Sequence, residues 1–217
     1  TARAGIEQNA RMTPWDRAPW DRARGITQTL SKIDDTGHRS DILCDQIDEA
    51  KTVAARCALI RLLTVAGGPR ALATLRSAST NPDAQIADTA VRTLAEWRDA
   101  TAWDGLLEIY RQPKSEPHRV LALRGLVRLA TAENASPTPA LVARYRQLLD
   151  GARGDNDRRL LLGALAGVAH PDALPLVLPL VSNEAVHAEA VLAVKKIATA
   201  IKAQHPKIAQ DALQRVK

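Results

Sequence analysis

The side chains able to do chemistry in this chain are few and badly spaced for it. Its five histidines are His38, His118, His170, His187 and His205. None stands three or four residues from another, the spacing that sets two imidazoles on one helix face. There is no HExxH and no His-Glu dipeptide. The histidines fall mostly at turns or helix starts and read as surface or capping residues, so no metal is expected. Cys44 and Cys57 form no CxxC pattern. On a single helix they would lie about 20 Å apart, too far to bridge, so they read as small core or surface residues. No GxSxG marks a nucleophile. Gly67-Gly68 is a helix joint, not a phosphate loop. The carboxylate pairs Asp34-Asp35 and Asp155/Asp157 lie in turn segments, where Asp caps helices. No catalytic residue and no cofactor is expected.

That leaves the cations. The chain has 217 residues, with 30 Lys and Arg against 24 Asp and Glu, a net charge of +6 and a pI near 9.7. Such a balance suits a solvated mixed surface and, more sharply, attraction to an anionic partner.

Whatever positions these cations is helical. There is no Phe, and aromatics make up 3% of the chain. Sandwiches and barrels need aromatic and β-branched residues. The 39 alanines and 27 leucines favour helix instead. Only six of them fall in residues 1–40, so the organisation changes near residue 40.

Beyond that point one pattern recurs: an apolar anchor, a small residue three on, an aliphatic four on and an apolar residue seven on. It fits Ala55, Ala58, Leu59, Leu62; Ala90, Thr93, Leu94, Trp97; Ala122, Gly125, Leu126, Leu129; Leu161, Ala164, Leu165, Val168; and Ala190, Ala193, Val194, Ile197. These offsets trace one face of an α-helix. Successive anchors lie 35, 32, 39 and 29 residues apart, a period that means a helical array. A short amphipathic helix is predicted within each unit, over 69–79, 103–112, 139–150, 172–181 and 206–216. Gly67-Gly68-Pro69, Asn81-Pro82-Asp83 and His170-Pro171-Asp172 punctuate the joints.

The stretches PDAQIADTAVRTLAEW at 82–97 and NEAVHAEAVLAVKKIA at 183–198 resemble HEAT repeats of the short, HEAT-like or PBS-lyase type. The resemblance implies an all-α, right-handed solenoid of about five antiparallel helix pairs over 41–217. It also implies kinked first helices, as at Pro179, and second helices lining a concave surface. Residues 1–40 are then a capping or linker segment, with Trp15 and Trp20 covering one end and a short helix over 26–33. The start at Thr1 rather than Met suggests a mature form or excised domain, part of a larger bacterial protein. Diiron deoxyhypusine hydroxylases, which resemble this type, carry their metal on His-Glu pairs that this sequence lacks.

On the second helices, Arg61, Arg128 and Lys196 share the position six past their anchors, and Arg92 and Arg124 the position two past. Gly163 and Gly167 interrupt both rows in the fourth unit, and Glu96 one of them in the second. These five cations are the candidate binding residues. The expected function is a non-catalytic interaction or scaffold module that binds a protein partner or another domain of its own chain. The alternative is nucleic-acid binding, at its extreme an alkylpurine glycosylase-like enzyme using Trp97, Asp99, Trp103, Asp104 and Tyr110. No apolar run reaches membrane-spanning length, and the compartment is left open.

Overall fold

The computed structural model describes residues 35–216, and among them every regular element is helical. The expected cap over residues 1–40, with its tryptophans and the helix over 26–33, lies outside the described residues apart from its last six. The α-helices are α1 (Thr36–Glu49), α2 (Val53–Ala66), α3 (Gly68–Ser79), α4 (Ala84–Ala95), α5 (Trp103–Arg111) and α6 (Glu116–Ala132). They continue as α7 (Pro139–Asp150), α8 (Asp155–Leu165), α9 (Leu174–Val177), α10 (His187–Ile201) and α11 (Pro206–Gln214). The chain forms two compact units, divided between Trp97 and Arg98.

In the first unit α1 pairs with α2 and α3 with α4, while α1 also packs on α3 and α2 on α4. Side-chain caps start three of these helices. Asp35 accepts from the Gly37 and His38 amides, Thr52 from Ala55, and Asp83 from Gln85 and Ile86, satisfying amides that have no intrahelical acceptor. The fourth start lacks such a residue. Gly67 and Gly68 turn the chain with φ of 69° and 84°, a region that favours glycine, and Pro69 follows. The buried Ser40 of α1 accepts instead from the Ala71 amide at 2.9 Å, so a neighbouring helix supplies the cap.

In the second unit α5 pairs with α6, α7 with α8, and α10 with both α9 and α11; α6 packs on α8 and α8 on α10. Ser115 and Thr138 cap α6 and α7. The segment predicted as one helix over 172–181 is broken into a 3-10 turn at Pro171–Ala173, the single turn α9, and a second 3-10 stretch at Leu178–Ser182. Pro175 and Pro179 remove two amides within five residues, so no continuous ladder can form.

Four of the five predicted apolar faces are turned inward. Ala90, Leu94 and Trp97, Ala122, Leu126 and Leu129, Leu161, Leu165 and Val168, and Ala190, Val194 and Ile197 are all buried. The first is out of phase: Ala55, Ala58 and Leu62 of α2 are only half-buried, while Cys57, Ile60, Leu63 and Ala66 are buried. The cysteines lie on different helices, Cys44 on α1 and Cys57 on α2, both buried and free.

Candidate functional site

The cations divide into two kinds according to what they touch. One kind ties helix pairs together. Arg119 of α6 is 4% exposed, and it donates from Nη1 and Nη2 to both carboxylate oxygens of Asp157 on α8, at 2.7 and 3.2 Å. It also donates from Nε and Nη2 to Glu116. Asp157 accepts a further hydrogen bond from the Arg153 amide at 3.0 Å. Burial pushes the Asp157 carboxyl up, but the Arg119 and Arg153 hydrogen bonds and the Arg119 charge outweigh it, and the carboxyl titrates below its ordinary range. Arg159 of α8 reaches the Ala185 carbonyl at 2.6 Å and Glu189 of α10 at 3.2 Å. Arg158 pairs with Asp155 within α8.

The second kind is exposed. Arg61 is exposed on α2, and Arg92 on α4, where its Nε donates to Asp88 at 2.7 Å. That bond holds the guanidinium above its ordinary pKa. Arg124 and Arg128 are exposed one turn apart on α6, and Lys195 and Lys196 on α10. Within the second unit, α6, α8 and α10 lie in a row, backed by their partner helices. Arg124 and Arg128 are thus exposed on α6 and Lys196 on α10, the two members of that row on either side of α8. Arg61 and Arg92 belong to the adjoining helices α2 and α4 of the first unit.

Past the first turns of α6, α8 and α10 this layer holds no carboxylate: none occurs at 120–132, 158–169 or 190–204. The opposite side differs. A shallow hollow of about 310 Å³ beside α5 is lined by Asp104, Leu107, Glu108, Arg111 and Gln112. The first helices carry both signs, with Arg144 and Arg146 beside Asp150 on α7 and Lys207 beside Asp211 on α11, so the one-signed run is confined to the second helices.

The aromatics proposed for base stacking are packing residues, which corrects the glycosylase-like expectation. Trp97 is buried, as are Trp103 and Tyr110. Trp103 carries the Arg144 guanidinium 4.8 Å from its ring centroid, while Arg144 also pairs with Glu133 at 2.6 Å. The Tyr110 hydroxyl donates to the Leu148 carbonyl at 2.9 Å, tying α5 to the end of α7. Burial pushes the phenol up to about 12. Asp99 caps the 3-10 turn at Ala100–Ala102.

Among the described residues, no group of three or more His, Cys, Asp or Glu side chains is placed to hold a metal ion, and no single helix is long and apolar enough to cross a membrane.

No family model matches the chain, and no curated protein does. A solved structure of human deoxyhypusine hydroxylase in complex with glycerol is similar at a TM-score of 0.34 and 16% sequence identity, over 93% of this chain and 79% of that one. That protein is an enzyme. The expectation that this chain is non-catalytic is therefore withdrawn, and a likeness this slight assigns no activity in its place.

Proposed function

We propose that the chain is a HEAT-like helical-repeat binding module, and that its second helices offer a basic face to an acidic protein partner or to another, acidic domain of the same chain. The observation that carries this reading is the one-signed run of exposed cations on the second helices of the second unit. Arg124 and Arg128 are exposed on α6 and Lys195 and Lys196 on α10, and α6, α8 and α10 carry no carboxylate past their first turns. Like charges gathered on a rigid surface raise the local concentration of an opposite partner and steer its approach. Alternating contacts support the repeat reading: in each unit second helices pack on second helices, α2 on α4 in one and α6 on α8 on α10 in the other.

A phosphate-tracking role is the second reading, favoured by the same cations. The two separate by anion and salt. The full chain is titrated with poly-glutamate and with a short DNA duplex from about 50 to about 200 mM salt, the range over which a phosphate-tracking protein loses affinity steeply. Poly-glutamate binding is expected, weakened about tenfold or more in the triple variant Arg124→Ala, Arg128→Ala, Lys196→Ala. Duplex binding tighter than poly-glutamate binding, with a steep salt slope, would replace the reading with nucleic-acid recognition. Binding unchanged in the triple variant would remove this layer from the site.

A further inference from the structure

The missing side chain of Gly163 leaves a notch on the exposed side of α8. Two past the anchors the row runs Arg124 on α6, Gly163 on α8 and Leu192 on α10. Six past, it runs Arg128, Gly167 and Lys196. Of the two glycines that interrupt the repeat's cations, Gly163 lies on α8, between α6 and α10, and Gly167 in the turn just past its end.

The two glycines have different reasons to be there. A Cβ on Gly167 would stand 3.1 Å from Asn134 Nδ2, and Asn134 donates from that nitrogen to the Ala164 carbonyl at 3.1 Å. Packing within the unit therefore accounts for Gly167. Gly163 sits inside α8, is exposed, and a Cβ there would meet nothing within 4 Å. Its φ is not positive, so the turn of the chain does not require it. Glycine is a poorer helix former than the ordinary residues, and although Gly163 lies in the last turn of α8, no neighbouring atom crowds the position.

Around Gly163 the face is not uniformly polar. Leu160, one turn before it on α8, is 37% exposed, and Leu192 on α10 is 52% exposed; they are two of the four large apolar side chains exposed among the described residues. A sugar-phosphate backbone makes no use of two leucines, and the aromatics that would stack bases are buried. An amphipathic helix uses all of these features. Its apolar stripe covers Leu160 and Leu192, a close backbone approach is possible only where a side chain is missing, and flanking carboxylates meet Arg124 and Arg128 on one side and Lys195 and Lys196 on the other.

We propose that the α6–α8–α10 face of the second unit binds an acidic amphipathic α-helix, seated over Gly163. This rests on the basic-face reading above and adds the form of the ligand and its point of closest approach. Three packed helices span about 20 Å between outer axes, so a ligand crossing them needs about 14 residues at 1.5 Å each.

The test uses a random library of peptides about 16 residues long, panned on the full chain and then on Gly163→Leu. Leucine is the better helix former, so this variant is expected to melt no lower than the parent while filling the notch. The expected result is enrichment of sequences with Asp and Glu flanking an apolar stripe of helical period, binding Gly163→Leu about tenfold or more weakly. Leu192→Ser is the second variant, and it weakens the same peptides. Acidic peptides that bind Gly163→Leu as tightly as the parent overturn the seat while the basic-face reading stands. A library that yields no binders, or binders without an acidic excess, overturns both. A DNA duplex that displaces the peptides and binds Gly163→Leu undiminished also overturns the proposal, in favour of phosphate tracking.

Discussion

Both units stitch neighbouring helix pairs together with an arginine, but they do so in different surroundings. In the first, Arg70 of α3 reaches α1, pairing with Asp41 at 3.0 Å and Asp45 at 2.6 Å and also donating to the Asp41 carbonyl. All three side chains are about half exposed. In the second, Arg119 and Asp157 do the same between α6 and α8 with side chains 4% and 8% exposed. The hydrogen-bonding chemistry is nearly identical. What differs is water. The exposed groups lose little when parted because solvent takes the partner's place, whereas the buried pair has exchanged hydration for its partner and cannot lose one member without leaving a charge stranded. The buried bridge is therefore a fixed point of its unit, and the exposed one an adjustable contact. The unit with the fixed point is also the one that carries the proposed binding face, on the same two helices.

The largest effect is expected from breaking the buried bridge. Asp157→Ala strands the Arg119 guanidinium with only Glu116 and frees the Arg153 amide, at a loss of about 3 kcal/mol, read as a fall in Tm of several degrees. The pH dependence checks its origin. The Asp157 carboxyl titrates below its ordinary 3.8 when folded, so its stabilisation is complete above about pH 5 and is lost as the pH falls through 3.8 and below. The gap between parent and variant should narrow over that range. A gap that stays constant to pH 3 would mean that the charge is not what α8 depends on.

How legible this was in the sequence varies with the range of the interaction. Helix α7 falls where its proline start and apolar spacing predict, and four of the five inward faces can be read from offsets alone. These are local properties. Helix α2 fails for an equally local reason. Its sequence VAARCALIRLLTVA is apolar nearly all round, so the four-offset template fits it in more than one phase, and only packing against α1 and α4 selects Cys57, Ile60 and Leu63. Nothing in the sequence sets Arg119 apart from the surface cations as a buried residue. Glu116 three residues earlier gave a local hint of a paired arginine, but Asp157 is 38 residues away and no spacing rule reaches it. The cation rows are in the sequence, while the packing of α6 on α8 and α8 on α10 that sets their helices side by side is a tertiary fact. Gly163 and Gly167 looked like breaks in those rows, and only the free space over Gly163 distinguishes it from a packing glycine.

An intermediate effect is expected in the first unit, where α3 borrows its cap from α1. Ser40→Ala leaves the Ala71 amide without its acceptor beside a buried site, at about 1 to 2 kcal/mol. Hydrogen exchange should show it as faster exchange in the first turn of α3, with α4, capped by its own Asp83, unchanged. Equal loosening of both helices would mean that the whole pair loosens and that the borrowed cap is not the cause.

The smallest effect belongs to the exposed bridge, and it closes the comparison between the units. Arg70→Ala removes three hydrogen bonds to α1, as many as Asp157→Ala removes from Arg119 and the Arg153 amide together. Counting contacts would therefore rank the two equal. Solvent separates them: Asp41 and Asp45 are already hydrated, lie a turn apart on α1, and return fully to water when the arginine is gone. The fall in Tm is expected to stay within about 2 °C and to shrink as salt is raised toward about 1 M, where exposed pairs are screened, while the Asp157→Ala loss persists in the same salt. An Arg70→Ala loss as large as that of Asp157→Ala, and as insensitive to salt, would mean that burial is not what separates the two bridges.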